Sequence, residues 1–259
     1  LVDRLRGMYA FAIWDTKRKR LFAARDIFGI KPLYYAQMNG TLMFASEIKA
    51  FMEHPKFDKI FNEDALGNYL SFQFVPTNET FFKGVFCLQP GHYFTYENGE
   101  MKITRYFEPD FTGDNTKSFE EVVDEVEAVM KESVEKHKIS DVEVASYLSS
   151  GVDSSYLTWL GQVDHTFTVG FDEGQYSEIQ DAKEFAASIN MQNEAKVITP
   201  VEYWDRLSDI QYYMDEPVAD PAAIALYFLS EEASKKVKVV LSGEGSDELF
   251  GGYNIYCEP

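Results

Sequence analysis

Two short apolar runs, residues 142–148 and 237–241, each lead straight into a stretch of small and acidic residues and then into a helical pattern. Between them lie apolar runs at 167–171 and 194–198, separated by helical patterns over 153–161, 178–189, 201–214 and 222–235, with a last helix starting near Asp247. Parallel strands can be joined only by long crossovers, so strands alternating with helices predict a parallel sheet covered on both faces. In such a sheet ligands bind beyond the carboxyl ends of the strands. That places both small-residue stretches at one edge.

The first hundred residues follow a different rule. The aromatic run 8–14 and residues 21–25 flank a charged turn, which predicts a hairpin. Residues 33–37 and 41–45 flank Asn39-Gly40, and residues 92–96 and 101–106 flank Asn98-Gly99. Asn-Gly is the strongest short hairpin signal, because both central residues of the favoured turn need positive φ. Short helices are expected over 47–53 and 63–72, the second capped by Asn62. Tyr9, Phe11 and Trp14 are expected in the core of this sheet. The polar stretch 108–117 reads as a linker. Ser118 with Glu121 then forms a capping box for an amphipathic helix over 119–137.

Composition narrows the function. The chain has 259 residues and a net charge of −19, which disfavours broad nucleic-acid binding. No apolar run approaches the ~20 residues of a membrane helix. Cys87 and Cys257 cannot make a disulfide framework, so the expected compartment is the cytoplasm. His54, His92, His137 and His165 lack metal-ligand spacing. The chain starts Leu-Val-Asp and ends just after a glycine pair, and it is expected to be an interior piece of a longer polypeptide.

The chemistry concentrates in two loops. Residues 148–155 read LSSGVDSS, where small residues let a ligand approach the free N–H groups that open a helix. Asp153 makes sense among phosphate-binding amides if it holds Mg²⁺ against the phosphates. The other reading is a helix capped by Ser and Asp. No Walker GxxxxGK[ST] pattern or loop Lys is present, which argues against kinase-type phosphoryl transfer. Residues 241–253 read LSGEGSDELFGGY, where Glu244, Asp247 and Glu248 form a self-repelling cluster that calls for a cation. Asp153 and Asp247 are expected to share Mg²⁺, leaving Glu244 to handle a proton; the alternative is two unrelated capped helices. Arg25-Asp26 reads as a structural ion pair or turn. Asp215-Glu216-Pro217 reads either as a border of a substrate pocket or as a capped turn.

LSSGVDSS resembles the SGGxDSS pyrophosphate loop of ATP pyrophosphatases. Together with SGEGSDELFGGY, RDIFGIKPLYY, ASEIKAF and LQPGHYF, the whole chain resembles the glutamine-dependent asparagine synthetases. The resemblance implies a fold of mixed class, α/β plus α+β. Residues 1–107 would be the C-terminal part of an N-terminal-nucleophile glutaminase domain, 108–117 a linker, and 118–259 a truncated parallel-sheet nucleotide α-hydrolase (ATP pyrophosphatase) domain. It implies a carbon–nitrogen ligase that converts aspartate to asparagine through β-aspartyl-AMP, with ATP as substrate, Mg²⁺ as cofactor and ammonia drawn from glutamine.

Carried over by motif, Ser149, Gly151, Asp153, Ser154 and Ser155 would hold pyrophosphate. Tyr147, Leu148, Val169, Ser242 and Gly243 would line the ATP site, Asp153 and Asp247 would bind the metal, and Glu244 would be the catalytic acid or base. The expected partners are ATP, aspartate and ammonia or glutamine, in a homodimer without nucleic acid or membrane. Ser150 departs from the motif's first Gly, which is tolerable if its φ is negative. Residue 1 is Leu where the family's glutaminase nucleophile is an N-terminal Cys, so this piece alone is expected to be incomplete for activity. Two rivals remain: a β-lactam synthetase-like ligase that adenylates another carboxylate, and a nucleotide-binding fragment that is inactive as it stands.

Overall fold

The computed structural model describes residues 1–113, 116–171 and 178–257, so the expected linker at 108–117 lies partly outside the described residues. The chain divides into two units: Leu1–Gly113 with Gln211–Asp220, and Asp114–Ile210 with Pro221–Pro259.

The first unit is built from hairpins. Its strands are β1 (Ala10–Asp15), β2 (Arg20–Arg25), β3 (Tyr34–Met38), β4 (Thr41–Ala45), β5 (Val85–Cys87), β6 (His92–Glu97) and β7 (Glu100–Arg105), with helices α1 (Lys49–Met52) and α2 (Glu63–Phe72). They form antiparallel sheets of order β1-β2-β6-β7 and β4-β3-β5. Both Asn-Gly pairs sit in tight turns with positive φ, 49° and 70° at Asn39-Gly40 and 53° and 86° at Asn98-Gly99. The sheets share a core of Leu21, Ala23, Leu33, Tyr35, Leu88 and Phe94.

Two expectations are corrected here, at Trp14 and Asn62, and of the two readings of Arg25-Asp26 the turn is the one that holds. Trp14 is 54 % exposed, because β1 is an edge strand and its outward side chains have little packed on them. Asn62 makes no side-chain cap to α2; its buried amide donates instead to the Thr80 carbonyl at 3.0 Å. Arg25 and Asp26 form no ion pair with each other. The Asp26 carboxylate, 1 % exposed, accepts the backbone N–H groups of Tyr9, Phe28, Ile30 and Lys31 at 3.0–3.2 Å. Arg25 donates to the carbonyls of Lys31, Leu88 and Gly29. Each thus satisfies a separate part of the buried backbone around the 26–31 turn.

The second unit alternates helix and strand. It contains α3 (Phe119–His137), β8 (Val144–Tyr147), α4 (Val152–Gly161), β9 (His165–Phe171), α5 (Ile179–Ser188), β10 (Gln192–Ile198), α6 (Pro200–Met214), α7 (Ala222–Ser234), β11 (Val239–Leu241) and α8 (Ser246–Phe250). The end of α6, from Gln211 on, belongs to the first unit. The Ser118–Glu121 capping box is present at the start of α3. The sheet is parallel throughout, in the order β10-β9-β8-β11.

Both faces of this sheet are covered. On one, Ala145, Phe167, Ala233 and Val237 pack with Leu229 of α7. On the other, Leu241 packs with Val134 of α3 and Leu157 and Leu160 of α4, while Leu148 packs with Ala182 and Ala186 of α5. β8 is the first strand of this sheet in the chain; β9 follows on one side of it, and the last strand, β11, on the other. The strand order therefore reverses beside β8, and the crevice beyond the carboxyl ends of β8 and β11 is the topological switch point where such sheets take ligands.

Candidate functional site

The loops that leave β8 and β11 meet in that crevice. A Cβ built on Gly243 would stand 3.1 Å from the Ser154 nitrogen and 3.4 Å from the carbonyl carbon of Asp153. The second loop therefore lies directly on the opening turn of α4, at a distance that suits glycine. Beside this contact lies a cavity of about 480 Å³.

The first loop is braced from within. Ser154 Oγ accepts from the Ser149 nitrogen at 3.1 Å and lies 2.8 Å from Ser149 Oγ. It also lies 3.2 Å from the carbonyls of Ser149 and Gly151. The loop's entry is fixed as well: the Leu148 N–H donates to the Phe167 carbonyl at 2.9 Å, and the Thr168 hydroxyl donates to the Leu148 carbonyl at 2.7 Å. Ser150 is not among the residues with positive φ, so its replacement of glycine carries no backbone strain. Gly151 caps α4 without a side-chain hydrogen bond, which leaves the first turn's N–H groups free of a capping side chain. In the second loop, Gly245 turns the chain at φ 93° and the Ser246 hydroxyl donates to the Gly243 carbonyl at 3.0 Å.

Most of the expected site residues line this cavity. Tyr147, Leu148, Ser149, Gly151, Asp153 and Ser154 form one wall, Ser242, Gly243, Glu244 and Asp247 the opposite one, and Val169 joins them from the end of β9. Ser155 does not line it; it sits within α4, its N–H donating to the Gly151 carbonyl. Tyr147 points its hydroxyl at Ser230 Oγ, 3.0 Å away.

Several lining residues escaped the sequence reading: Phe171, Glu178, Ala225, Leu226, Leu229 and Tyr253. Leu226 and Leu229 stand one turn apart on α7, and Leu226 is 46 % exposed. The opening of α7 reads AAIALYFL, apolar on every side, so periodicity could not say which face meets a ligand.

The cavity's charge is one-sided. Asp153, Glu178, Glu244, Asp247 and Glu248 line it, and no Lys, Arg or His is among the described lining residues. Such a site repels a polyphosphate unless a cation enters with it. No group of three or more His, Cys, Asp and Glu side chains among the described residues is arranged to hold a metal by itself. Asp153 and Asp247 on facing loops fit Mg²⁺, which commonly takes one or two carboxylates and completes its shell with water and phosphate oxygens.

Residues 125–259 match the family model described as asparagine synthase, and residues 1–107 match that of a glutamine amidotransferase domain. The chain belongs to the asparagine synthase family. It is 46 % identical over 262 residues to asparagine synthetase [glutamine-hydrolyzing] 1 of Bacillus subtilis, covering 99 % of this chain and 41 % of that one. Asparagine synthetase [glutamine-hydrolyzing] 3 of the same organism is 31 % identical over 272 residues, 97 % of this chain and 44 % of its own. Amidase chyE of Penicillium rubens is 32 % identical over 279 residues, 98 % of this chain and 41 % of its own. The chain thus spans less than half the length of these asparagine synthase relatives. No described helix is long and apolar enough to cross a membrane.

Asp215 and Glu216 are not among the residues lining the cavity; they belong to the first unit. Asp215 accepts the Ile48 N–H at 2.6 Å and pairs with Lys49 at 2.7 Å. Glu216 accepts the Phe81 N–H at 2.7 Å. They hold the 211–220 segment against distant parts of the first unit, so neither side chain acts as the local cap that the capped-turn reading expects.

Proposed function

We propose that this chain is part of a glutamine-dependent asparagine synthetase, a cytoplasmic carbon–nitrogen ligase. Residues 1–107 would contribute to its glutaminase domain and residues 118–259 to its ATP-pyrophosphatase domain. The observation that carries the reading is the contact of Gly243 with the Asp153-Ser154 backbone at the switch point of a parallel sheet. It brings an amide-rich helix start and two metal-competent carboxylates to one crevice.

In this reading ATP lies across the two loops. Its base rests on the apolar side formed by Val169, Leu226 and Leu229, and its phosphates face the first turn of α4. Asp153 and Asp247 would hold Mg²⁺, which would neutralise the phosphates and make pyrophosphate a better leaving group. The β-carboxylate of aspartate attacks the α-phosphorus, the bond to the bridging oxygen of pyrophosphate breaks, and β-aspartyl-AMP forms. Ammonia then adds to the activated carbonyl, Glu244 accepts a proton from the attacking nitrogen, and AMP leaves with asparagine formed. The Ser149 and Ser154 hydroxyls are committed to each other and to the loop backbone, so their part is to hold the amides in place.

The test is Glu244→Gln in the full-length enzyme that contains this chain. Asparagine formation should fall about 10²–10⁴-fold, the usual contribution of an acid–base group. Mg²⁺-ATP affinity and glutamine hydrolysis should change little. Near-normal turnover would remove Glu244 from the reaction, and absence of aspartate-dependent AMP formation by the unmutated enzyme would overturn the assignment of substrate.

A further inference from the structure

We propose that Gly252 is a positioning residue for the Asp247 carboxylate, keeping it aimed into the cleft; this rests on the cleft being a Mg²⁺-ATP site. Helix α8 ends at Gly251, whose φ of 69° turns the chain back over the helix. The Gly251 N–H caps onto the Asp247 carbonyl, and the Gly252 N–H donates to the same oxygen at 3.0 Å. This return lays residue 252 against the side chain of Asp247. A Cβ on Gly252 would overlap Asp247 Oδ1 and stand 2.9 Å from its Cγ. The carboxylate occupies the space that any side chain at 252 would need.

The two adjacent glycines therefore do different work. Gly251 supplies a left-handed turn, and a Cβ there would meet nothing within 4 Å. Gly252 has no positive φ to require glycine, and its constraint is the room taken by Asp247. Alanine at 252 leaves the backbone hydrogen bond intact and forces the flexible end of Asp247 to swing away. Since Mg²⁺ is assigned to Asp153 and Asp247 together, that rotation removes one of its two protein ligands.

The experiment is isothermal titration of ATP into the 259-residue chain, in Mg²⁺ and in EDTA, with a thermal melt of each variant. The variants are Gly252→Ala, Gly251→Ala, Asp247→Ala and Asp247→Ala with Gly252→Ala. Displacing a group that orients a metal ligand commonly costs about 10–100-fold in affinity. Gly252→Ala should lose that much of the Mg²⁺-dependent affinity, and adding it to Asp247→Ala should cost nothing more. Gly251→Ala should lower the melting temperature while keeping the Mg²⁺ dependence.

Wild-type Mg²⁺ dependence in Gly252→Ala, or an equal further loss in the Asp247→Ala background, would overturn the proposal. If the unmutated chain shows no Mg²⁺-dependent binding, the cleft assignment fails instead. Crystal structures of the unmutated chain and Gly252→Ala then decide separately. A rotated Asp247 supports the proposal, and an unmoved carboxylate beside an opened turn overturns it.

Discussion

Gly243 and Ser154 lie so close that a side chain would be crowded: a Cβ at 243 would stand 3.1 Å from the Ser154 nitrogen. Through this contact the loop after β11 rests on the helix that follows β8. Gly243→Ala forces a shift of a few tenths of an ångström, and Gly243→Val a larger one. Overpacking of this kind costs about 1–3 kcal/mol. Both variants should lower the melting temperature and weaken ATP binding, valine more than alanine. An unchanged affinity in Gly243→Val would mean that the two loops need not touch.

The two serines of the DSS motif should behave differently. Ser154 Oγ holds the loop through Ser149 and Gly151, whereas Ser155 does not line the cleft. Ser154→Ala removes hydrogen bonds that contribute about 1 kcal/mol each. It should loosen the loop, read as faster amide exchange at Ser149, whose N–H loses its acceptor, and weaker ATP binding. Ser155→Ala should leave both nearly unchanged, and equal losses from the two variants would contradict the division.

Local signals were legible in the sequence and distant partners were not. The Asn39-Gly40 and Asn98-Gly99 turns and the Ser118–Glu121 box are each decided within a few residues, and all appear as read. Asn62 was misread because its amide finds the Thr80 carbonyl, 18 positions away. The end of α6 continues the helical pattern of its own segment, yet Gln211–Asp220 clusters with the first unit. The cause is Asp215 and Glu216 accepting N–H groups from Ile48 and Phe81, a pairing no spacing announces. In the cleft, the polar loops stood out by their small residues. The apolar wall from α7 was hidden by a helix opening that is apolar on all sides.

Asp26 gives the first unit its sharpest predicted weakness. Four backbone N–H groups converge on this buried carboxylate. Asp26→Ala leaves them without an acceptor, and each unsatisfied buried group costs about 1–3 kcal/mol. A loss of about 3 kcal/mol or more is expected in denaturant unfolding of the first unit, with Asp26→Asn intermediate because one amide oxygen remains. A change within experimental scatter would contradict the role.

Two carboxylates should shift stability with pH in opposite directions. Lys196, followed by the N–H and hydroxyl of Thr199, pulls Glu202 down to about 2 from its ordinary value of 4.5. Its contribution is therefore present above pH 4.5 and lost as pH falls towards 2. Burial pushes Glu216 up, against the pull of the Phe81 N–H. Its contribution is greatest below the ordinary glutamate range and declines as pH rises through its raised value. Melts at a series of pH values should show Glu202→Gln destabilising at pH 7 and matching wild type near pH 2. Glu216→Gln should melt above wild type at pH 7, with the gap closing in acid. The reverse order at pH 7 would contradict both assignments.

The central claim is that Asp153 and Asp247 admit a polyphosphate to this acidic cleft only together with a divalent ion. Titrating ATP into the unmutated chain and into Asp153→Asn, each with Mg²⁺ and with EDTA, tests it most directly. Tight binding is expected in one condition of the four, the unmutated chain with Mg²⁺, and weak binding in the other three. Equal affinity in all four would contradict it.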